Sequence, residues 1–209
     1  MNAEPFRPND GNPGVNPALE ESLLWKFLHD LFRPPTEDQW NWLRSDPARR
    51  VWQMLSKGVE QSVPADLPVP QDFSHYEEGY LAAYDVGFPA PPCPLQESHW
   101  RPDQPTSGVL HENILFYQHF GLRVRPGGSL PPDHLLQQLE FLSVLCVHEG
   151  TGLERQDASV TAQFARARED FLARHVRTWI GKAEAKISDL PGFDWQTHWV
   201  RMVRLFVLP

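Results

Sequence analysis

Apolar side chains recur at three- and four-residue intervals over most of this chain, the spacing of one face of an α-helix. Leu24, Leu28 and Leu31 show this spacing, and the Asn16-Pro17 pair before them is a favourable helix start. No segment alternates convincingly with the two-residue period of a half-buried strand. The pattern predicts an all-α fold of about eight helices. Their predicted starts are near Asn16, Thr36, Asp46, Asp72, Ser107, Pro131, Asp157 and Asp194.

Three segments without helical periodicity divide the chain. Residues 1–15 are rich in Asn, Pro and Gly and predict a flexible N-terminal tail. Residues 62–72 form a proline-punctuated linker, and residues 88–106 form a proline-rich loop too long for a simple connector. Neither half shows an independent core, so residues 16–209 are predicted to form a single-domain helical bundle with a long proline-rich loop. Linkers of this length are compatible with a monomer or a domain-swapped dimer.

The charge balance narrows the class of partner. The 209 residues carry a formal net charge of −8, and no basic cluster is longer than Arg49-Arg50. Nucleic-acid binding requires neutralised phosphates, so this composition argues against it. An acidic surface instead favours a basic partner and steers its approach.

The cysteines and the N-terminal residues indicate the compartment. Cys93 and Cys146 stand alone without a CxxC motif, which favours a reducing compartment. Residues 1–16 lack the apolar core of a signal peptide. The longest apolar stretch, 142–147, is too short to span a membrane. We therefore expect a cytoplasmic protein without membrane insertion.

Catalytic and metal-binding motifs are absent from the sequence. Its nine histidines include no HExxH pattern, and His111 and His119 lie eight residues apart, too far to share one ion. Ser98-His99 lacks the GxSxG context of a nucleophile. We therefore expect no catalytic residue, no metal and no cofactor. A metal-dependent all-helical hydrolase is retained as the alternative.

The pair Asp133-His134 lies at the start of a predicted apolar helix and has two interpretations. Asp133 is a suitable helix cap, because a carboxylate there accepts backbone N–H bonds and complements the helix dipole. His134 is either neutral and hydrogen-bonded, or paired with Asp133 or Glu140. If the pair forms an exposed acidic patch, it could bind an arginine side chain.

The segment 88–100 also has two interpretations. It is a rigid surface connector, or it is a preformed wall for an extended peptide. In the second case Phe88 and Trp100 supply apolar contacts, and Glu97 supplies a charge partner.

Three motifs in order resemble a known family. They are Pro-Pro-Asp-His-Leu at 131–135, Pro91-Pro92 followed by Glu-Ser-His-Trp at 97–100, and His175 with Trp179 in a later helix. This order and spacing is similar to that of the TorD/DmsD/NarJ family of redox-enzyme maturation chaperones. The form of the proline loop is most similar to chaperones of the type II dimethyl-sulfoxide-reductase group. The Tyr-x-x-Leu-Phe stretch common in the family is replaced here by a segment ending in Tyr84.

The resemblance implies an all-helical chaperone without catalytic activity. Such a protein binds the twin-arginine signal peptide, or another segment, of a molybdoenzyme catalytic subunit in the cytoplasm. It assists cofactor insertion and assembly before export. A structural adaptor subunit is a further alternative. The residues predicted to bind the peptide are Tyr84, Phe88, Pro91, Pro92, Glu97, Ser98, Trp100, Asp133, His134 and Glu140.

The sequence leaves two points open. It does not identify the client enzyme or the segment that is bound. Nor does it show whether Asp133 contacts the peptide or only caps its helix.

Overall fold

A computed structural model describes residues 16–59, 61–123 and 130–208. Over these residues the chain forms ten α-helices and one π-helical turn, without a β-strand, so the predicted all-α fold class is confirmed. None of these helices is long and apolar enough to cross a membrane. The α-helices are α1 (Pro17–Leu31), α2 (Glu37–Leu43), α3 (Asp46–Ser56), α4 (Phe73–Tyr80), α5 (Glu97–Trp100), α6 (Thr106–His119), α7 (Leu135–Glu154), α8 (Ala158–Arg174), α9 (Val176–Ser188) and α10 (Asp194–Val207); the π-helical turn covers Leu81–Asp85.

Several predicted helix starts are confirmed by their capping bonds. The Thr36 hydroxyl accepts a hydrogen bond from the Gln39 N–H at 3.1 Å. Asp72 caps α4 in the same way, and Asp157 caps α8 through two backbone N–H groups. Such caps satisfy N–H groups that the helix itself leaves unpaired. Asp194 was predicted to cap the last helix, but it is the first residue of α10 and makes no side-chain capping bond.

The predicted long helix after Asp157 is broken at His175, which accounts for one of the extra helices. The backbone of His175 has φ −118° and ψ −89°, outside the helical range, and separates α8 from α9. The sequence has no proline or glycine at this point. A second extra helix, the single turn α5, lies inside the proline-rich loop.

The described residues fall into two compact units, each built from parts of the chain that are distant in sequence. The first unit comprises 30–59, 61–95 and 180–208, and the second comprises 16–29, 96–123 and 130–179. The single-domain organisation expected from the sequence stays a prediction. The predicted tail, 1–15, lies outside the described residues.

The proline-punctuated linker is fastened into the first unit by tryptophans. The indole N–H groups of Trp52, Trp40 and Trp199 donate to the carbonyls of three linker prolines, at 2.9, 3.0 and 3.1 Å. Helical carbonyls are already occupied by the helix, whereas those of an extended proline-rich segment are free to accept. The acceptors are Pro64, Pro70 and Pro68, in that order.

Helices α7 and α8 approach each other closely in the second unit. At Gly152 a Cβ atom would lie 2.7 Å from the Thr161 hydroxyl and 2.9 Å from its backbone nitrogen. Such distances are shorter than van der Waals contact, so any side chain at this position forces the two helices apart.

We therefore expect Gly152→Ala to lower the free energy of unfolding by about 1–2 kcal/mol, because the steric cost exceeds the gain in helix propensity. The matched control is Gly181→Ala in α9, where the nearest atom, Cδ of Arg204, is 4.0 Å from the new Cβ. There the same substitution should stabilise the protein by up to about 1 kcal/mol. Urea unfolding followed by far-UV circular dichroism measures both. A stabilising Gly152→Ala would contradict the close approach.

Candidate functional site

The last part of the proline-rich loop, 96–106, and the Asp133-His134 segment lie side by side in the second unit. The backbone N–H of Glu97 donates to the Asp133 carbonyl at 3.0 Å, and that of Ser98 donates to the Asp133 carboxylate at 2.9 Å. Gln96 pairs with His134 in an isolated antiparallel bridge. The end of the loop is therefore held against the residues that precede α7.

The carboxylate of Glu97 is fully buried and surrounded by donors. Its side chain has 0% exposure. One donor directly follows α5, one lies on α6, one on α7 and one at the break between α8 and α9, so they converge from distant parts of the chain. They are Nη1 of Arg101 at 2.6 Å, Nε2 of Gln138 at 2.6 Å, Nδ1 of His175 at 2.9 Å and Nδ2 of Asn113 at 3.1 Å.

These donors keep Glu97 charged. Burial alone would raise the pKa of Glu97, since desolvation penalises a carboxylate. The hydrogen bond and charge of His175 outweigh that penalty, together with the hydrogen bonds from Arg101 and Asn113, and the net pKa lies below its usual range. A buried carboxylate with this many partners is electrostatically satisfied.

The hydrogen bonds extend to the remaining motif residue. The indole N–H of Trp179 donates to Oε1 of Gln138 at 3.2 Å. Glu97 of the second motif and His175 and Trp179 of the third therefore meet in one hydrogen-bonded cluster. The remaining motif, 131–135, adjoins this cluster through the bonds from the backbone of Glu97 and Ser98 to Asp133. We call this cluster the Glu97 network; its members are Glu97, Arg101, Asn113, Gln138, His175 and Trp179.

The Glu97 network also explains the break at His175. The His175 side chain is completely buried, with its Nδ1 against Glu97 and its ring against Phe116 and Phe171 at centroid distances of 5.3 and 4.7 Å. Its Nε2 has no hydrogen-bond partner among the described residues. The imidazole is thus held between a carboxylate and two aromatic rings, and the helix is interrupted where this contact is made.

His134, and not Asp133, is the cap of α7. Its Nδ1 accepts the N–H of Leu136 at 3.2 Å, and α7 begins one residue later than His134. Burial lowers the pKa of His134 to about 4, with a smaller contribution from the nearby charge of His29. Of the two states expected for His134, the structure shows the neutral, hydrogen-bonded one. The expectation that Asp133 caps this helix is wrong.

An exposed acidic patch at Asp133 is not observed. The Asp133 side chain is buried, at 1% exposure, because the loop covers it at Ser98. One carboxylate oxygen, Oδ1, has no hydrogen-bond partner among the described residues. Glu140, by contrast, is exposed and lines a small pocket of about 150 Å³ beside Tyr117 and Phe141.

The other predicted contact residues differ widely in exposure. Within the first unit, Phe88 is 99% exposed, and Pro91 and Pro92 are half-buried. Tyr84 is buried, with its ring edge-on to Tyr80 at 5.1 Å, so it supports the core of that unit and offers no surface. In the second unit, Ser98 and Trp100 are half-buried and Glu97 is buried.

Three members of the Glu97 network were not predicted from the sequence: Arg101, Asn113 and Gln138. Asn113 and Gln138 are amides on the buried faces of α6 and α7. An uncharged polar residue within an apolar stripe is the signal that could have identified them, because such a group needs a buried partner. In the described part of the chain, no three His, Cys, Asp or Glu side chains are grouped so that they could hold a metal ion.

The family model described as nitrate reductase delta subunit matches residues 53–184, a range that contains the whole Glu97 network. This chain belongs to that family, and the resemblance to redox-enzyme maturation chaperones is confirmed.

Three relatives carry more specific names. The selenate reductase assembly chaperone protein of Thauera selenatis is 36% identical over 112 residues, 54% of this chain and 57% of that protein. The chlorate reductase assembly chaperone protein of Ideonella dechloratans is 34% identical over 104 residues, 50% of this chain and 53% of that protein. The perchlorate reductase assembly chaperone protein of Dechloromonas aromatica is 27% identical over 134 residues, 64% and 59% of the two chains. The chain thus spans little more than half the length of the curated relatives it matches.

The buried charge of Glu97 leads to a prediction about the free energy of unfolding. We expect Glu97→Gln to lower the free energy of unfolding at neutral pH by about 3 kcal/mol, because Arg101 loses its buried counter-charge and the other donors lose a charged acceptor. The depressed pKa means that the contribution of Glu97 is complete above the ordinary value of 4.5 and is lost as the pH falls through the folded value. The difference between wild type and variant should therefore shrink in acid.

Urea unfolding at several pH values measures this difference. The control is Glu112→Gln, which removes an ion pair with Arg174 whose two side chains are 27% and 52% exposed. Its cost should be below about 1 kcal/mol. Equal costs for the two variants would contradict the special position of Glu97.

The lowered pKa of His134 leads to a separate prediction about stability in a higher pH range. Its pKa falls from 6.5 to about 4 on folding, so the unfolded chain binds the proton first as the pH is lowered. The free energy of unfolding is therefore highest above pH 6.5, where His134 is neutral in the folded and the unfolded chain. It falls by roughly 3 kcal/mol between pH 6.5 and pH 4. His134→Asn keeps a capping oxygen and removes the titration, so its unfolding free energy should fall less steeply over this range. Identical slopes for wild type and variant would refute the prediction.

Proposed function

We propose that this chain is an assembly chaperone for the catalytic subunit of a molybdoenzyme. Membership of the family and the names of three relatives support this function. The observation that carries it is the Glu97 network. The charge of Glu97 is buried among donors from several elements, as in a framework that positions a binding surface.

In this proposal the chaperone acts in the cytoplasm and performs no chemical step. It binds either the twin-arginine signal peptide or an internal segment of its client. The bound client is held back from export and final assembly until its molybdopterin cofactor has been inserted. The chaperone needs no cofactor and no nucleic acid for this role.

The first unit offers an apolar contact for the client at Phe88. This ring is almost fully exposed, and Val86 beside it is 62% exposed. An exposed aromatic side chain on a loop stiffened by Pro91 and Pro92 loses little conformational freedom on binding. Burying one such ring against a partner contributes about 2–3 kcal/mol.

The second unit offers polar contacts. Glu140 is exposed, and Ser98 and Trp100 are half-buried. Asp133 and His134 act by positioning, because they fix the loop and the start of α7 without reaching the surface. The net charge of −8 favours an arginine-bearing segment. Binding is therefore expected to weaken as salt screens this attraction.

Purified wild-type chain should bind at least one of three catalytic subunits, those of selenate, chlorate and perchlorate reductase, in their cofactor-free forms. Phe88→Ser should weaken that binding about 30- to 150-fold, because the buried ring contact of about 2–3 kcal/mol is lost. The matched control is Leu23→Ser, which removes an apolar side chain that is 68% exposed on α1. Calorimetry or biolayer interferometry gives the dissociation constants.

The same measurements separate the alternatives. Failure of the wild type to bind any of the three subunits would count against the proposed client class. Equal losses for Phe88→Ser and Leu23→Ser would remove the specific role of Phe88. If the chain remains in the mature, cofactor-loaded complex, it is a structural adaptor subunit and does not act as a chaperone.

A further inference from the structure

A groove on the second unit belongs to none of the motifs. It lies between α6 and α8 and has a volume of about 750 Å³. This volume is in the range of ligand-binding clefts. Phe116, Phe120 and Ala167 contribute apolar surface to it, and the exposed Leu115 adds to this surface.

The apolar lining of the groove is rigidly supported. The ring of Phe116 packs edge-on against Phe171 at 5.2 Å, and the ring of Phe120 packs against Phe164 at 5.4 Å. Phe116 also contacts His175 of the Glu97 network. A preformed apolar surface of this kind binds without a large cost of ordering side chains.

Three charged residues line the groove, and of these only Glu169 makes an ion pair in the described part of the chain; Arg166 is exposed and its Nε donates to the carbonyl of Ala162. Arg174 pairs with Glu112 and lies over the Phe116 ring at 5.2 Å, and Glu169 pairs with Arg177. Asp170 lines the groove, is exposed and makes no ion pair in the described part of the chain. This carboxylate is therefore available to a basic side chain of a partner.

The backbone around the groove determines the form of the occupant. Both walls are helices whose backbone groups are already bonded, and the described residues contain no strand edge that an extended peptide could join. An extended segment would leave its own backbone groups unpaired against an apolar surface, whereas a helix satisfies them internally. Along α8 the lining runs from Gln163 to Ala173. At 1.5 Å per residue this length is about 15 Å, which matches a helix of about three turns.

We propose that the α6/α8 groove binds an amphipathic helical segment of the client catalytic subunit. The apolar face of that helix lies on Phe116 and Phe120, and a lysine or arginine of the helix pairs with Asp170. This inference rests on the proposed chaperone function and adds to it a docking surface that the family motifs do not include.

The test uses the full chain and the same three reductase catalytic subunits. Ala173→Arg places a long side chain in the groove from an exposed position and should raise the dissociation constant about tenfold or more. The matched control is Gln118→Arg, which adds the same side chain at an exposed position of α6 outside the lining. It should change the constant by less than about twofold. Circular dichroism melting verifies that both variants fold.

A second variant tests the charge independently of the steric change. Asp170→Asn should weaken binding and flatten its dependence on salt concentration, because one ion pair is removed.

If the wild type binds a catalytic subunit and both groove variants bind it equally well, the groove proposal is overturned while the chaperone function stands. If the wild type binds none of the subunits, both proposals fail. If Ala173→Arg abolishes only self-association in analytical ultracentrifugation, the occupant is a second copy of this chain and the client assignment is wrong.

Discussion

The buried charge of Glu97 is the constraint on which the second unit depends. A carboxylate with no exposure to water stays ionised only when donors replace its hydration. Here they come from the residue after α5, from α6 and α7, and from the break between α8 and α9. Each donor ties its part of the chain to the same carboxylate. Removing any one donor leaves the charge under-compensated, so the network acts as a single unit.

Local sequence predicted most of the fold, and its failures have identifiable causes. Thr36, Asp72 and Asp157 start helices through bonds within three residues, so their positions were readable from the sequence. The break at His175 was not, because the side chain that His175 contacts there, Glu97, is 78 residues away in the sequence. The same limit applies to the site. Asp133 is a residue type that commonly caps helices at the surface, but here it is buried against Ser98. The residue that caps α7 is His134.

The motif residues and the exposed residues form separate sets in this chain. Glu97, His175 and Trp179 carry the family resemblance and lie completely inside the second unit. Phe88, Leu115 and Asp170 are exposed and are not members of the Glu97 network. A resemblance based on the first set therefore identifies the framework. Under the proposed function, selection of a client falls to the second set, whose side chains are exposed.

The large sequence separations within the Glu97 network also bear on synthesis at the ribosome. Chains emerge from the N-terminus and begin to fold as they do so. Glu97 emerges together with Arg101, but His175 follows 78 residues later and Trp179 later still. Until then the carboxylate lacks its histidine partner and its burial is unfavourable. The second unit therefore cannot complete its packing during translation until most of the chain has been made. In a ribosome-bound intermediate the proline-rich loop and α7 would not yet be packed against His175 and Trp179.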